Sequence, residues 1–175
     1  EEFHSFVEKL RAKGINVLTI KDTIDPKTPD SIFPNNWVSL HRDGTVILYP
    51  MCAPNRRYER RKDIIDSLKT NFKISQIIDL SKYEAENRFL EGTGSIVFDH
   101  VNRLAYACLS PRTDKDILAE VCEILNYKAV PFHSHDPAGK EIYHTNVMMC
   151  IAEKFAVICM DSISDQQERE FVSDS

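Results

Sequence analysis

A chain of 175 residues, 42% hydrophobic and 28% charged, is long enough for one domain that buries roughly 70% of its unfolded surface. A net charge of −5 without a long basic run argues against nucleic acid as the main partner, because phosphate binding needs clustered Lys and Arg. No apolar run reaches the ~18 residues of a membrane span and the first residues carry no signal-peptide pattern, so no membrane partner is expected.

Five cysteines, at positions 52, 108, 122, 150 and 159, form no C-x-x-C pair and leave one over. That favours free thiols in a reducing, cytoplasmic setting over a disulfide framework or a zinc site. Cys108, Cys150 and Cys159 lie in apolar strand-like runs and Cys122 on the apolar side of a helix, where a thiol behaves as a small core hydrophobe. No metal or cofactor is expected.

In chain order, Phe3, Phe6, Val7 and Leu10 at helical spacing predict a helix ending at Gly14, and Ile15–Ile20 reads as a strand. Residues 22–35 form a proline-stiffened loop. Trp37–Leu40 and Thr45–Tyr49 flank Asp43-Gly44 as a hairpin, followed by a helix over Arg57–Phe72 and a strand over Gln76–Leu80. Within that helix, Arg56-Arg57-Tyr58-Glu59-Arg60-Arg61-Lys62 reads as a solvated polar face rather than a phosphate patch. The same unit recurs: hairpin strands at Gly94–Asp99 and Arg103–Leu109, a helix over Thr113–Asn126 and a strand over Lys128–Phe132. A third copy begins with Asn146–Ile151 and Phe155–Cys159 and enters a helix after Ser164, with Asp165 and Glu168 near its start. Measured from Trp37, Gly94 and Asn146, the repeats are 57 and 52 residues apart, a period typical of repeat architectures. The fold class is therefore α/β, built of repeated ββαβ units that pack around a centre or along a line.

Closing repeats around an axis brings equivalent positions together. The residues before each hairpin are then neighbours: Asp30 through Asn36, Glu91 through Gly94, and His144 through Asn146. Glu91 precedes a Gly-x-Gly turn that opens onto an apolar strand. An isolated Glu there more often faces water, and a lone His at a strand start is more often structural. A Glu, a His and an Asp at the same point of three repeats point instead to a central polar pocket with acid-base capacity.

Four motifs carry a family resemblance: Asp30-Ser31-Ile32-Phe33-Pro34-Asn35-Asn36-Trp37, Leu90-Glu91-Gly92-Thr93-Gly94, Leu109-Ser110-Pro111-Arg112-Thr113-Asp114 and Tyr143-His144-Thr145-Asn146-Val147. In this order they resemble the guanidine-modifying enzyme superfamily, which includes arginine deiminases, dimethylarginine dimethylaminohydrolases and amidinotransferases. The nearest likeness is to its bacterial amidinotransferase or arginine deiminase-related group. The resemblance implies the pentein α/β propeller, five ββαβ units around a pseudo-fivefold axis with the active site at the centre. Residues 1–175 would then be a single domain and an incomplete propeller. Residues 1–21 would end one unit, 37–80 and 94–133 would be whole units, and 144–175 would start another.

The resemblance further implies a small guanidino or amidine substrate and a covalent mechanism, in which a cysteine thiolate attacks the guanidino carbon and a thiouronium intermediate is resolved by water or an amine. It makes His144 the catalytic histidine and Glu91 the carboxylate that grips the guanidinium. Asp30, Phe33, Asn36 and Asn146 would bind substrate, and Arg112 would hold a substrate carboxylate. Where arginine deiminases have acidic residues, this chain has Gly94, Asn36 and Asn146, so the pocket carries fewer negative charges. The family's nucleophilic cysteine lies in a Gly-rich segment near the C-terminus that has no counterpart here, and the expectation is a fragment without its nucleophile. The alternative is a non-catalytic pentein used as a binding scaffold, as in the ribosome anti-association factor that resembles the fold. Unclosed sheet edges would also suit a homo-oligomer.

Overall fold

A computed structural model describes the whole chain, residues 1–175. Helix α1 (Glu2–Ala12) buries only Val7. The strand expected over Ile15–Ile20 does not form. An extended segment becomes a strand only when a neighbour takes up its N–H and C=O groups, and no strand of the chain pairs with this one. Its Leu18 and Ile20 instead line a groove of about 920 Å³ with Phe3, Leu40 and Phe72.

The repeat is realised in the sheets. Strands β1 (Val38–Leu40) and β2 (Thr45–Leu48) form an antiparallel hairpin, and β3 (Gln76–Asp79) returns parallel to β2 after helix α2 (Lys62–Asn71). The second unit repeats this order. A helical turn α3 (Gly92–Ser95) leads into the hairpin of β4 (Val97–Asp99) and β5 (Leu104–Cys108). Helix α4 (Lys115–Leu125) then carries the chain to β6 (Lys128–Phe132), which runs parallel to β5. The third unit supplies an antiparallel pair, β7 (Met149–Ile151) and β8 (Ala156–Ile158), and helix α5 (Gln166–Asp174). None of these helices is long and apolar enough to cross a membrane.

Strand β5 shows how the units are joined. Its side chains alternate between faces: Ala105 and Ala107 pack with Ile47, Tyr49 and α4 on one side. Leu104, Tyr106 and Cys108 pack with Met148, Met149 and Val172 on the other. Each large aliphatic side chain buried this way contributes about 1.5–3 kcal/mol, so both interfaces are paid by one continuous strand. Helix α4 is bounded as its residues dictate: the Asp114 carboxylate accepts from the Asp116 and Ile117 N–H groups, and Asn126 closes the end in the left-handed region at φ 56°.

Three expectations are corrected. The helix read over Arg57–Phe72 is divided into a 3-10 segment at Pro54–Glu59 and α2, with Arg61 extended between them. The cause is the basic cluster itself, which turns inward. Arg56 is buried against Glu59, Arg60 pairs with Glu84 at 2.6 Å, and Arg57 donates to the Met51 carbonyl. It is not a solvated polar face. Likewise Cys108 and Cys122 are buried, but Cys150 and Cys159 are exposed, because no second layer covers the outer side of the β7–β8 pair.

Candidate active site

The three hairpin entries meet. Helical turn α3 touches both the 3-10 turn at Pro34–Asn36 and the one at Thr145–Val147, so the second entry is sandwiched between the other two. Glycine permits this. Gly92 sits at φ +44°, and a Cβ there would strike the Asn35 carbonyl. At Gly94 a Cβ would lie 2.7 Å from Asn36 Oδ1 and 2.9 Å from both His144 Cε1 and Nδ1. The Gly-x-Gly run is therefore not an open turn but the point at which Asn36 and His144 close in.

At that point Glu91 is fully buried and His144 is 5% exposed. His144 Nε2 lies 2.7 Å from Glu91 Oε2, and the Cys52 backbone N–H donates to Glu91 Oε1 at 3.0 Å. Burial by itself would raise the Glu91 pKa. The His144 bond, the Cys52 N–H and the positive charges of His144 and Arg112 outweigh it and hold the carboxyl below its ordinary range. An ionised carboxylate has only lone pairs to offer, so Nε2 carries the hydrogen between them. Nδ1 is then the nitrogen not engaged with Glu91, and it packs against Gly94, where a Cβ would lie 2.9 Å from it. Both Glu91 oxygens are already engaged within the protein, which suits a carboxylate that orients a histidine.

Arg112 stands beside the pair. Its Nη1 is 3.5 Å from Glu91 Oε2, its side chain is 37% exposed, and its guanidinium lies 4.9 Å over the Tyr143 ring. It is thus held by charge and stacking while its fork stays open to an anion. Asp30 is half-buried with a carboxylate that makes no hydrogen bond, and its carbonyl accepts from Arg56. The Phe33 ring is 54% exposed. Asn36 is buried at Gly94, with Oδ1 accepting from Asn35 Nδ2 at 3.1 Å. Asn146 is exposed and its side chain makes no hydrogen bond, so it is the expected site residue least involved in the cluster.

Reading the sequence missed the residues that fasten these segments. Ser95 Oγ accepts from the Glu91 N–H and donates to the Arg112 carbonyl. Thr145 Oγ1 donates to the Ser95 carbonyl at 2.6 Å and accepts from the Cys108 N–H at 2.7 Å. Ser110 Oγ bonds the Tyr143 carbonyl. The available signal was that each hydroxyl lies within four residues of Glu91, Arg112 or His144. None of the five thiols hydrogen-bonds to Glu91 or His144. Burial pushes the Cys108 thiol up and that of Cys122 up to about 11. No cluster of three or more His, Cys, Asp or Glu side chains could hold a metal.

The chain is similar to a cyanobacterial arginine dihydrolase of the ornithine-ammonia cycle, ArgZ, at TM-score 0.74 and 16% identity, covering 98% of this chain and 25% of that one. The substrate-bound N-terminal domain of ArgZ gives the same score and identity over 59% of its length. A dimethylarginine dimethylaminohydrolase adduct matches at TM-score 0.66 and 17% identity, covering 97% of this chain and 63% of that one. At these identities the likeness establishes the fold, the pentein α/β propeller, and the chain spans less than two thirds of each of these structures. No curated protein sequence matches significantly. The model of the family described as N,N dimethylarginine dimethylhydrolase, eukaryotic, matches residues 1–175, and the chain belongs to that family.

Proposed function

We propose that the protein is a cysteine-dependent hydrolase or amidinotransferase of guanidino compounds, working through a thiouronium intermediate. The observation that carries this reading is the buried Glu91–His144 pair, closed at 2.7 Å where the absence of a side chain at Gly94 lets the His144 ring and Asn36 approach. In this reading a thiolate attacks the guanidino carbon, and the amine leaves with a proton from His144. The neutral ring then takes a proton from the water, or the acceptor amine, that displaces the sulfur. Glu91 keeps the ring oriented and stabilises its cationic form, a different task from gripping the substrate. Asp30 and Asn36 meet the guanidinium edge, and Arg112 holds a carboxylate at the far end of an arginine-like substrate. ArgZ, whose N-terminal domain was solved bound to substrate, and the dimethylarginine dimethylaminohydrolase make arginine and its methylated derivatives the first compounds to assay. The nucleophile in this reading is not among the five thiols described above, and free cysteines suit a cytoplasmic setting.

The test is release of citrulline, ornithine, ammonia or dimethylamine by the intact protein, with His144→Ala as control. Turnover that the control abolishes supports the reading. Tight binding of a guanidino compound without turnover replaces it with the scaffold alternative.

A further inference from the structure

The basic cluster does something that its sequence does not suggest. Arg56 is 5% exposed and Glu59 3%, and the two make a fork-to-fork pair, Nε to Oε1 at 2.8 Å and Nη2 to Oε2 at 2.9 Å. A buried ion pair is no more stabilising than well-packed apolar side chains of the same size, so what else the pair holds becomes the question. Arg56 Nη2 also faces the carbonyls of Asp30 and Phe33, each at 3.2 Å. Those same carbonyls close two consecutive turns of the loop, accepting from the N–H groups of Phe33 and Asn36 respectively. Each carbonyl has two lone pairs, one for the turn and one for Arg56.

Within the loop, Asp22 takes the Thr28 and Ser31 hydroxyls, both at 2.7 Å, and at its end Asn35–Asn36 rests on Gly92 and Gly94. The hydrogen bonds that tie the Asp30–Phe33 stretch to the protein outside the loop come from Arg56. Burial opposes the Arg56 charge, but the bonds to Glu59 and the charges of Glu59, Glu91 and Asp30 more than offset it, as expected of a cation that sits among those carboxylates. We propose that Arg56 is a positioning residue: it holds the Asp30–Phe33 turns at a set distance from the Glu91–His144 pair and so fixes the width of the guanidinium pocket. Lysine cannot substitute, because one ammonium cannot span a carboxylate and two carbonyls with the same fixed fork.

The effect on turnover rests on the function proposed above; the effect on the loop does not. Two variants of the intact protein test both: Arg56→Lys, and the double variant Arg56→Met/Glu59→Leu, which leaves no buried charge unpaired. Two measurements are made on each, steady-state kinetics with an arginine-like substrate and amide hydrogen exchange. We expect KM to rise about tenfold, the loss of one charge-assisted bond's worth of placement, with kcat changed less than about twofold, since the bonds of Glu91 do not pass through Arg56. The Phe33 and Asn36 amides should exchange about tenfold faster while those of β1 and β2 hold their rates. Unchanged KM, or kcat falling in step with a general loss of protection, overturns the inference. If the wild-type protein turns over no guanidino compound, the functional reading falls by itself. Exchange then decides whether Arg56 holds the loop, and unaltered exchange at Phe33 and Asn36 overturns that as well.

Discussion

Two buried acid-base pairs sit near one another and are assembled in opposite ways. Arg56 and Glu59 are three residues apart on a single 3-10 turn, so their meeting is local and needs little of the rest of the fold. Glu91 and His144 are 53 residues apart and come from different units, and the third partner, the Cys52 N–H, is 39 residues from Glu91. The local pair is a strut that joins a guanidinium to a carboxylate. The long-range pair joins an imidazole ring to a carboxylate at a point where the missing Cβ of Gly94 lets the ring approach. The contrast teaches that burial of charge does not itself mark chemistry; what marks it is a group that can give and take a proton, held by segments brought together from different units.

The first way to break this comparison is to remove the moving proton. His144→Ala should lower kcat by about 10³-fold or more, the span of general acid-base catalysis, with the fold retained by circular dichroism. Glu91→Gln should cost about 10²-fold, because the amide can still accept from Nε2 but no longer balances its charge. A rate equal to wild type in either variant would place the chemistry elsewhere. Disrupting the strut should act on stability instead: Glu59→Ala leaves Arg56 buried and unpaired, and unfolding in urea should show a loss of about 3–5 kcal/mol.

Gly94→Ala sharpens the comparison at its centre. Its methyl group would meet Asn36 Oδ1 at 2.7 Å and His144 at 2.9 Å, and backbone adjustment should cost about 1–3 kcal/mol together with most of the activity. If both are unchanged, the close approach of Asn36 and His144 to Gly94 has no role.

A pH titration of stability follows from Glu91. Its folded pKa lies below the ordinary value of 4.5, so ionised Glu91 stabilises the fold fully above about that pH. The contribution is lost as the pH falls through the lower folded value. The melting temperature of the wild type should drop on acidification below that range, and the drop should be smaller in Glu91→Gln. The smallest effect is expected at Asn146→Ala, exposed and without side-chain bonds, where stability should stay within about 0.5 kcal/mol.

Legibility differed by element for physical reasons. In the second unit β6 could be read to the residue at Lys128–Phe132 and the helix is bracketed by Asp114 and Asn126, whose local chemistry agrees with the global fold; the first hairpin strand, expected from Gly94, begins only at Val97 because Gly92–Ser95 form a helical turn. The Ile15–Ile20 stretch has the composition of a strand but finds no partner in the chain. The Arg56–Lys62 run has the pattern of a solvated helix face, yet its guanidinium groups find carbonyls and carboxylates brought in from positions 30, 33, 49, 51 and 84, which no local window contains. Ser95 and Thr145 were passed over for the same reason.

By itself the sequence determined the ββαβ repeat, the boundaries set by capping residues and turns, and the placing of Glu91 and His144 at matching points, each directly before a short helical turn; in the first unit that point is Phe33, and Asp30 lies three residues before it. Those features depend on periodicity and on neighbours a few residues away. Only the tertiary structure decided that Glu91 bonds His144 and the Cys52 N–H, that Asn36 and His144 pack against Gly94, and that Arg56 ties the Asp30 and Phe33 carbonyls to Glu59. These are contacts between residues dozens of positions apart, and their geometry exists only after the cores on both faces of β5 have brought the units together.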